Sequence, residues 1–183
     1  MDYISLIERY YAGSPELKDV LLVHSRQVME RSLYVASLHP DWEVDLTFIE
    51  EAAMLHDIGI IYCQAPKIYC VGPHSYIEHG YLGAELLRQE GLPKHALVAE
   101  RHTGSGITME QVIREDLPIP VQDYLPVSLE EKIICYADKF YSKGHLGEEV
   151  PNSKIRMNMW KYGHDAIQRW DELVELMAEP NRD

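Results

Sequence analysis

The chain has 183 residues, a length typical of one folded domain, and its 46% hydrophobic and 26% charged residues are ordinary for a globular protein. Its 17 basic and 30 acidic residues give a formal net charge of −13, which disfavours general binding to nucleic acid polymers or to a membrane surface. A small anionic substrate is not excluded, because bound divalent cations reverse the local field.

The first half of the sequence predicts two helices followed by a loop. Apolar residues recur at about 3.6-residue spacing from 15 to about 38, where Pro15 stands at the first helical position. A second helix is predicted over 46–57, ending at Gly59. Residues 60–75 contain two prolines and no helical period, which predicts a loop long enough to be functional.

The second half predicts further helices and almost no strands. The expected helices span about 76–89, 94–102, 129–142 and 153–178, with at most one short helix in the proline-containing stretch 107–127. We therefore predict an all-α, single-domain helical bundle for residues 1–183. Its core would span about 17–145, and its C-terminal helix about 153–178.

Six polar residues lie on or at the ends of these predicted helices, several of them where an apolar residue is expected. They are His24, His56, Asp57, His79, His102 and Asp138. An inward-facing carboxylate without a partner costs on the order of several kcal/mol, so such a polar core requires cations. Imidazoles and carboxylates are also ligands for divalent transition metals, which predicts a metal site.

The adjacent pair His56-Asp57 indicates how two ions could share one carboxylate. At a helix end the chain unwinds, so both side chains can reach one metal while the second oxygen of Asp57 bridges to another. The first ion is predicted to be held by His24, His56, Asp57 and Asp138, and the second by His79 and His102 with Asp57 bridging. We predict that Asp57, His79 and His102 are catalytic, because two ions about 3.5–4 Å apart can hold a nucleophilic hydroxide between them. Fe, Mn, Co, Ni and Zn all suit these ligands.

The ordered pattern H…HD…D resembles the signature of the HD-domain superfamily. The matching residues are His24, His56-Asp57 and Asp138, with the local text MLHDIG and CYADK. His79 in HGYLGAELL and His102 in RHTGSG resemble the two added histidines of the dinuclear branch. The resemblance covers about residues 17–145.

The resemblance implies a metal-dependent phosphohydrolase that acts on a phosphate ester, of which a nucleotide is one kind. In that reaction a metal-bridging hydroxide would attack phosphorus. Two alternatives stay open. One is a di-iron oxygenase similar to the inositol and phosphonate oxygenases, which use the same ligand order, and the other is a nucleotide-sensing binding module with degenerate activity.

One position departs from many hydrolytic members of the superfamily, because Ile60 stands where they carry a lysine after HDIG. The cation that binds the substrate phosphate must then come from elsewhere. The candidates for substrate binding are Lys67, His74, Arg101 and Lys139. A second His-Asp pair, His164-Asp165, follows Gly163 and has no inward partner downstream, so we interpret it as a surface or helix-start feature.

The expected partner is a small phosphorylated molecule, neither a nucleic acid polymer nor a membrane, and the oligomeric state stays open. The sequence has no apolar run of about 20 residues and no signal-peptide pattern at its start. Its cysteines, Cys63, Cys70 and Cys135, show no disulfide or CxxC spacing, so we expect a cytoplasmic protein.

Overall fold

The computed structural model describes residues 1–179, which form a helical bundle with two small β-hairpins. The α-helices are α1 (Tyr3–Tyr11), α2 (Pro15–Leu38), α3 (Leu46–Leu55), α4 (His79–Gln89), α5 (Pro93–Arg101), α6 (Met109–Arg114), α7 (Leu129–Asp138), α8 (Asn152–Met159) and α9 (His164–Met177). The predicted all-α fold class is confirmed. Within residues 1–179, no helix is both long and apolar enough to cross a membrane.

The longest helix, α2, runs through the middle of the bundle and contributes to two separate hydrophobic cores. Its N-terminal half, with Leu17 and Leu21, packs in a core that includes residues of α1, α4 and α5. Its C-terminal half, with Val28 and Val35, packs in another core together with α7 and α9. His24 lies between these halves and is fully buried, so the polar centre sits where the two apolar cores meet.

The segment 60–75, predicted as a loop, contains no α-helix but does contain short elements of regular structure. A 3-10 turn spans Ile58–Tyr62, and a short antiparallel hairpin pairs β1 (Gln64–Ala65) with β2 (Cys70–Val71). Backbone hydrogen bonds tie the segment together, including one from the Gln64 amide to the His74 carbonyl at 2.7 Å. These backbone pairings leave no hydrophobic period in the sequence, because they do not depend on side-chain patterning.

Two predicted helices in the second half are shorter than expected. The helix at 129–142 ends at Asp138, and the chain then forms a second antiparallel hairpin from β3 (Tyr141–Ser142) and β4 (His145–Glu149). The helix at 153–178 is divided into α8 and α9 at Gly163, whose φ of +100° is incompatible with a continuous helix. Gly163 therefore ends one helix and allows a new direction for the next.

Candidate metal centre

The structure brings all six predicted ligand residues together, although they come from different elements. His24 lies in the middle of α2, His56 and Asp57 follow the end of α3, His79 begins α4, His102 follows α5, and Asp138 ends α7. Their ligand atoms form two groups, each with all atoms within 4.8 Å of one another, and Asp57 belongs to both. Five of the six therefore lie at a helix terminus, where the chain can change direction around a common point.

Two glycines allow α4 to approach closely enough to place His79 in the centre. A Cβ built on Gly59 would lie 2.1 Å from the His79 carbonyl oxygen and 2.4 Å from the Gly83 nitrogen. A Cβ on Gly80 would lie 2.7 Å from the carbonyl oxygen of Ala99 in α5. Because no real side chain tolerates such distances, these backbones touch directly only where glycine is present.

The first group consists of His24, His56, Asp57 and Asp138. The Nε2 atom of His24 lies 2.9 Å from Asp138 Oδ1 and 3.1 Å from Asp57 Oδ2. The Nε2 atom of His56 lies 2.9 Å from Asp57 Oδ2 and 3.4 Å from Asp138 Oδ1. Two imidazole nitrogens thus face one oxygen from each carboxylate, which is a four-ligand arrangement around a single point.

The second group consists of Asp57, His79 and His102. The Nε2 atoms of His79 and His102 each lie 3.4 Å from Asp57 Oδ1, and they lie 3.1 Å from each other. Asp57 therefore presents Oδ2 to the first group and Oδ1 to the second. This is the arrangement expected of a carboxylate that bridges two ions.

Hydrogen bonds to main-chain carbonyls fix the orientation of three of the imidazoles. The Nδ1 atoms of His56, His79 and His102 lie 2.6–2.8 Å from the carbonyl oxygens of Ala53, Tyr76 and Ala99, three residues earlier in each case. A carbonyl oxygen only accepts, so each Nδ1 carries the proton. In a neutral ring this leaves Nε2 as a lone pair aimed into the centre, which is the usual preparation of a histidine ligand.

The protonation states of the two groups differ. Burial lowers the pKa of His79 to about 3 and also lowers that of His102, so both rings are neutral near neutral pH. Burial also disfavours charge on His56, but the Asp57 and Asp138 carboxylates outweigh it and raise the pKa of His56 to about 9. Burial disfavours the ionised Asp57 carboxylate, but His56 and Lys143 hold its pKa well below the ordinary value.

The residues fit divalent metal ions. The Nε2 atoms of the neutral His79 and His102 rings lie 3.1 Å apart, and each points a lone pair at the other. This contact is repulsive because neither nitrogen carries a proton to donate, and a cation between the two nitrogens would relieve the repulsion. Both Asp57 oxygens and the His56 Nε2 atom are buried and have no hydrogen-bond partner of good geometry among the described residues. Groups of this kind are costly unless they are ligands.

A cavity of about 530 Å³ opens beside the second group. His79, His102 and Asp138 lie in its wall, together with Lys67, Lys139 and Lys143. The remaining wall is largely apolar or aromatic and includes Ile68, Tyr76, Tyr141, Met159 and Tyr162. Metal-ligand candidates and three cations thus line the same cavity as side chains that suit an organic group.

Of the four predicted substrate-binding residues, two line the cavity and two do not. Lys67 and Lys139 line the cavity, and Lys139 also pairs with Asp138. His74 and Arg101 are not among the described residues that line it. His74 lies 3.1 Å from Glu78, and Arg101 pairs with Glu131 at 3.1 Å, so each side chain is directed to a carboxylate outside the cavity.

Lys143 also lines the cavity, and it is not among the substrate-binding residues predicted from the sequence. It occupies the two-residue turn between β3 and β4, and its Nζ atom lies 2.5 Å from Asp57 Oδ2. Its side chain is only 13% exposed. A lysine in a polar stretch normally indicates a solvated surface, and the only available signal was its position five residues after Asp138.

Comparison with known proteins agrees with this geometry. A family model for the HD domain matches residues 21–142, more than half of the chain, and the protein belongs to the HD domain family. No solved structure matches the chain.

Three curated relatives are similar over part of their length. An uncharacterized protein of Methanocaldococcus jannaschii is 43% identical over 107 residues, which cover 58% of this chain and 56% of that protein. Two proteins named tRNA (cytidine(56)-2'-O)-methyltransferase are also similar. The one from Picrophilus torridus is 31% identical over 90% of this chain and 43% of its own length. The one from Thermoplasma volcanium is 30% identical over 96% of this chain and 45% of its own length. The chain spans about half the length of the curated relatives it matches.

Proposed function

We propose that this protein is a metal-dependent phosphohydrolase that acts on a small phosphate ester. The observation that carries the proposal is the paired geometry of Asp57, His79 and His102, in which one carboxylate serves two ligand groups and the second group borders a cavity. Lysines line that cavity in a chain whose formal net charge is −13. Such a local concentration of ammonium groups favours an anionic substrate in this cavity.

Each group of residues has a distinct role in the proposed reaction. Two divalent ions bound by the six residues would supply a hydroxide nucleophile at neutral pH and neutralise the charge of the phosphoryl oxygens. His24, His56 and Asp138 hold the inner site, where both histidines are fully buried and Asp138 reaches the cavity wall, and Asp57 joins it to the outer site. His79 and His102 stay neutral near neutral pH, so they keep their lone pairs for the ion nearest the substrate.

The apolar and aromatic residues in the cavity wall support an organic leaving group, such as the base and sugar of a nucleotide. Tyr141 and Tyr162 offer rings on which a planar base could pack, and Ile68 and Met159 line the same cavity. The substrate class is therefore a phosphate carried by an apolar or aromatic group. We propose such a small molecule, rather than a nucleic acid polymer or a membrane, as the partner of the site.

The test is phosphate release by protein loaded with Mn(II), Co(II), Ni(II) or Fe(II), using p-nitrophenyl phosphate and then a panel of nucleoside monophosphates. We expect hydrolysis that EDTA abolishes and that Asp57→Asn eliminates. His164→Ala is the matched control, because His164 belongs to the other His-Asp pair and is exposed at the start of α9. Equal activity in wild type and Asp57→Asn would disprove the proposal.

One other activity is a possible outcome of the same experiments. Oxygen uptake by the Fe(II) protein with polyols or phosphonates, without phosphate release, would replace hydrolysis by oxygenation. Two relatives carry the name of a tRNA methyltransferase, but this chain matches less than half of each. We assign no methyl transfer to it, since the cavity combines metal ligands with lysines, a set that fits phosphate chemistry.

A further inference from the structure

The hairpin β3–β4 places a buried ammonium group directly at the metal centre. Lys143 sits in its two-residue turn, and the turn is closed at its base by a hydrogen bond from the Val150 amide to the Phe140 carbonyl at 2.8 Å. The buried Arg31 of α2 reaches Glu149 of β4 at 2.9 Å and lies over the ring of Phe140 at 3.2 Å. The turn is thus anchored to the central helix and is held in place.

The carboxylate oxygen that Lys143 contacts also faces two histidine nitrogens of the first ligand group. Asp57 Oδ2 lies 3.1 Å from His24 Nε2 and 2.9 Å from His56 Nε2, and it is the oxygen that Asp57 presents to the first ligand group. An oxygen that binds a cation is a poorer partner for an ammonium group. Lys143, at 13% exposure, would then need a second anion, because a buried charge without a partner is costly.

The surroundings of Lys143 leave the cavity as the place for that anion. Burial raises the pKa of Tyr76 and the ammonium of Lys143 opposes that shift, which makes the phenol of Tyr76 a neutral neighbour. The Tyr76 ring stacks on His79 with centroids 4.8 Å apart, and Tyr76, His79 and Lys143 all line the cavity. Lys139 differs, because it pairs with Asp138.

We propose that Lys143 is the residue that binds the substrate phosphate and that it supplies the cation missing from position 60. Ile60 is fully buried in an apolar core and cannot fill that role. Lys143 reaches the centre from the opposite end of the sequence, on a turn rather than on the segment that follows His56-Asp57. This inference rests on the proposed function and names the group that recognises the phosphate.

The experiment compares Lys143→Met, Lys143→Arg and the control Lys154→Met, since Lys154 is exposed on α8. Each protein is loaded with Mn(II), its metal content is measured by elemental analysis, and its affinity for inorganic phosphate is measured by calorimetry. We expect Lys143→Met to keep its metal content and bind phosphate at least about tenfold more weakly, as for the loss of one charge-assisted hydrogen bond. Lys143→Arg should recover part of the affinity, and Lys154→Met should match wild type.

Two results would overturn the inference. Unchanged phosphate affinity in Lys143→Met would show that the ammonium does not bind phosphate, and loss of metal from that variant would show that it supports the ions instead. The proposed function is tested separately by turnover. If wild type binds phosphate through Lys143 but hydrolyses no ester, the phosphohydrolase proposal fails while the phosphate site stands. If wild type is active and Lys143→Met keeps its KM, only the present inference fails.

Discussion

The two halves of the centre share Asp57 but differ in enclosure and charge. His24 and His56 are completely buried and face two carboxylates, whereas His79 and His102 retain 4% and 2% exposure, border the cavity and face only one. A site rich in charge, with both histidines completely buried, suits an ion that stays bound, and a site with neutral histidines beside a cavity suits an ion with open positions for further ligands. The comparison teaches that one set of ligands can divide into a more deeply buried half and a half that borders a cavity.

The change with the largest expected effect removes the residue common to both halves. Asp57→Asn should lose both ions and essentially all hydrolytic activity, because each group loses its shared anionic ligand. Elemental analysis of protein purified in excess Mn(II) checks this expectation. Retention of one ion at full occupancy would show that Asp57 serves only one group.

The substitution with the next largest expected effect should remove one ion and leave the other in place. His79→Ala should keep the fold and the first ion but lose the second, and activity should fall by a factor of about 100 or more, as when a ligand to a reactive metal is removed. Metal content should change from about two ions to about one per chain. Unchanged metal content would contradict the assignment of His79, and His164→Ala provides the control.

A smaller effect is expected from the backbone contact that positions α4. Gly59→Ala forces a methyl group against the His79 carbonyl, which should lower the free energy of unfolding by about 1–3 kcal/mol and weaken the second ion more than the first. Gly13→Ala is the matched control, because a Cβ there has nothing within 4 Å. Denaturant unfolding and metal titration measure both effects, and equal stability of the two variants would show that α4 adjusts freely.

The expected effect that is furthest from activity is a difference in pH response between the halves of the metal-free protein. The pKa of His56 is about 9 against an ordinary value of 6.5, so its stabilising contribution is complete below about pH 6.5 and is lost as the pH rises through 9. The pKa of His79 is about 3, so its contribution is complete above pH 6.5 and is lost as the pH falls towards 3.

Melting temperatures of EDTA-treated protein should therefore be highest near pH 6.5 and decrease on both sides. His56→Gln should flatten the alkaline side, and His79→Gln should flatten the acidic side. NMR titration of the imidazoles provides a direct check, with His56 protonated and His79 neutral at pH 7. Similar titration of both rings near pH 6.5 would contradict the difference between the halves.

The sequence distinguished the two His-Asp pairs for a physical reason. His56-Asp57 ends a strongly apolar helix and has polar partners at buried positions elsewhere, whereas His164-Asp165 follows Gly163 and precedes an amphipathic helix. The structure agrees, because His56 and Asp57 are fully buried and His164 and Asp165 are exposed. A polar residue on an apolar stripe is costly to bury, which makes it visible in the sequence.

The hairpins and the cavity lysine were not predictable in the same way. Strands β1 to β4 are two to five residues long and are defined by backbone pairing, which leaves no alternating pattern. His74 and Arg101 were chosen for their neighbourhood in sequence, but each is directed to a nearby carboxylate. The single-domain organisation, the cytoplasmic location and the small phosphorylated partner stay predictions.

The sequence by itself determined the helical class and the six residues that meet at the centre, because burying imidazoles and carboxylates on apolar helix faces is costly and leaves a recognisable pattern. The tertiary structure alone decided that Asp57 faces both groups, that glycine contacts bring α4 to the centre, and that Lys143 reaches it from a turn. Those features depend on distances between segments far apart in the chain, and no local preference of a residue encodes such distances.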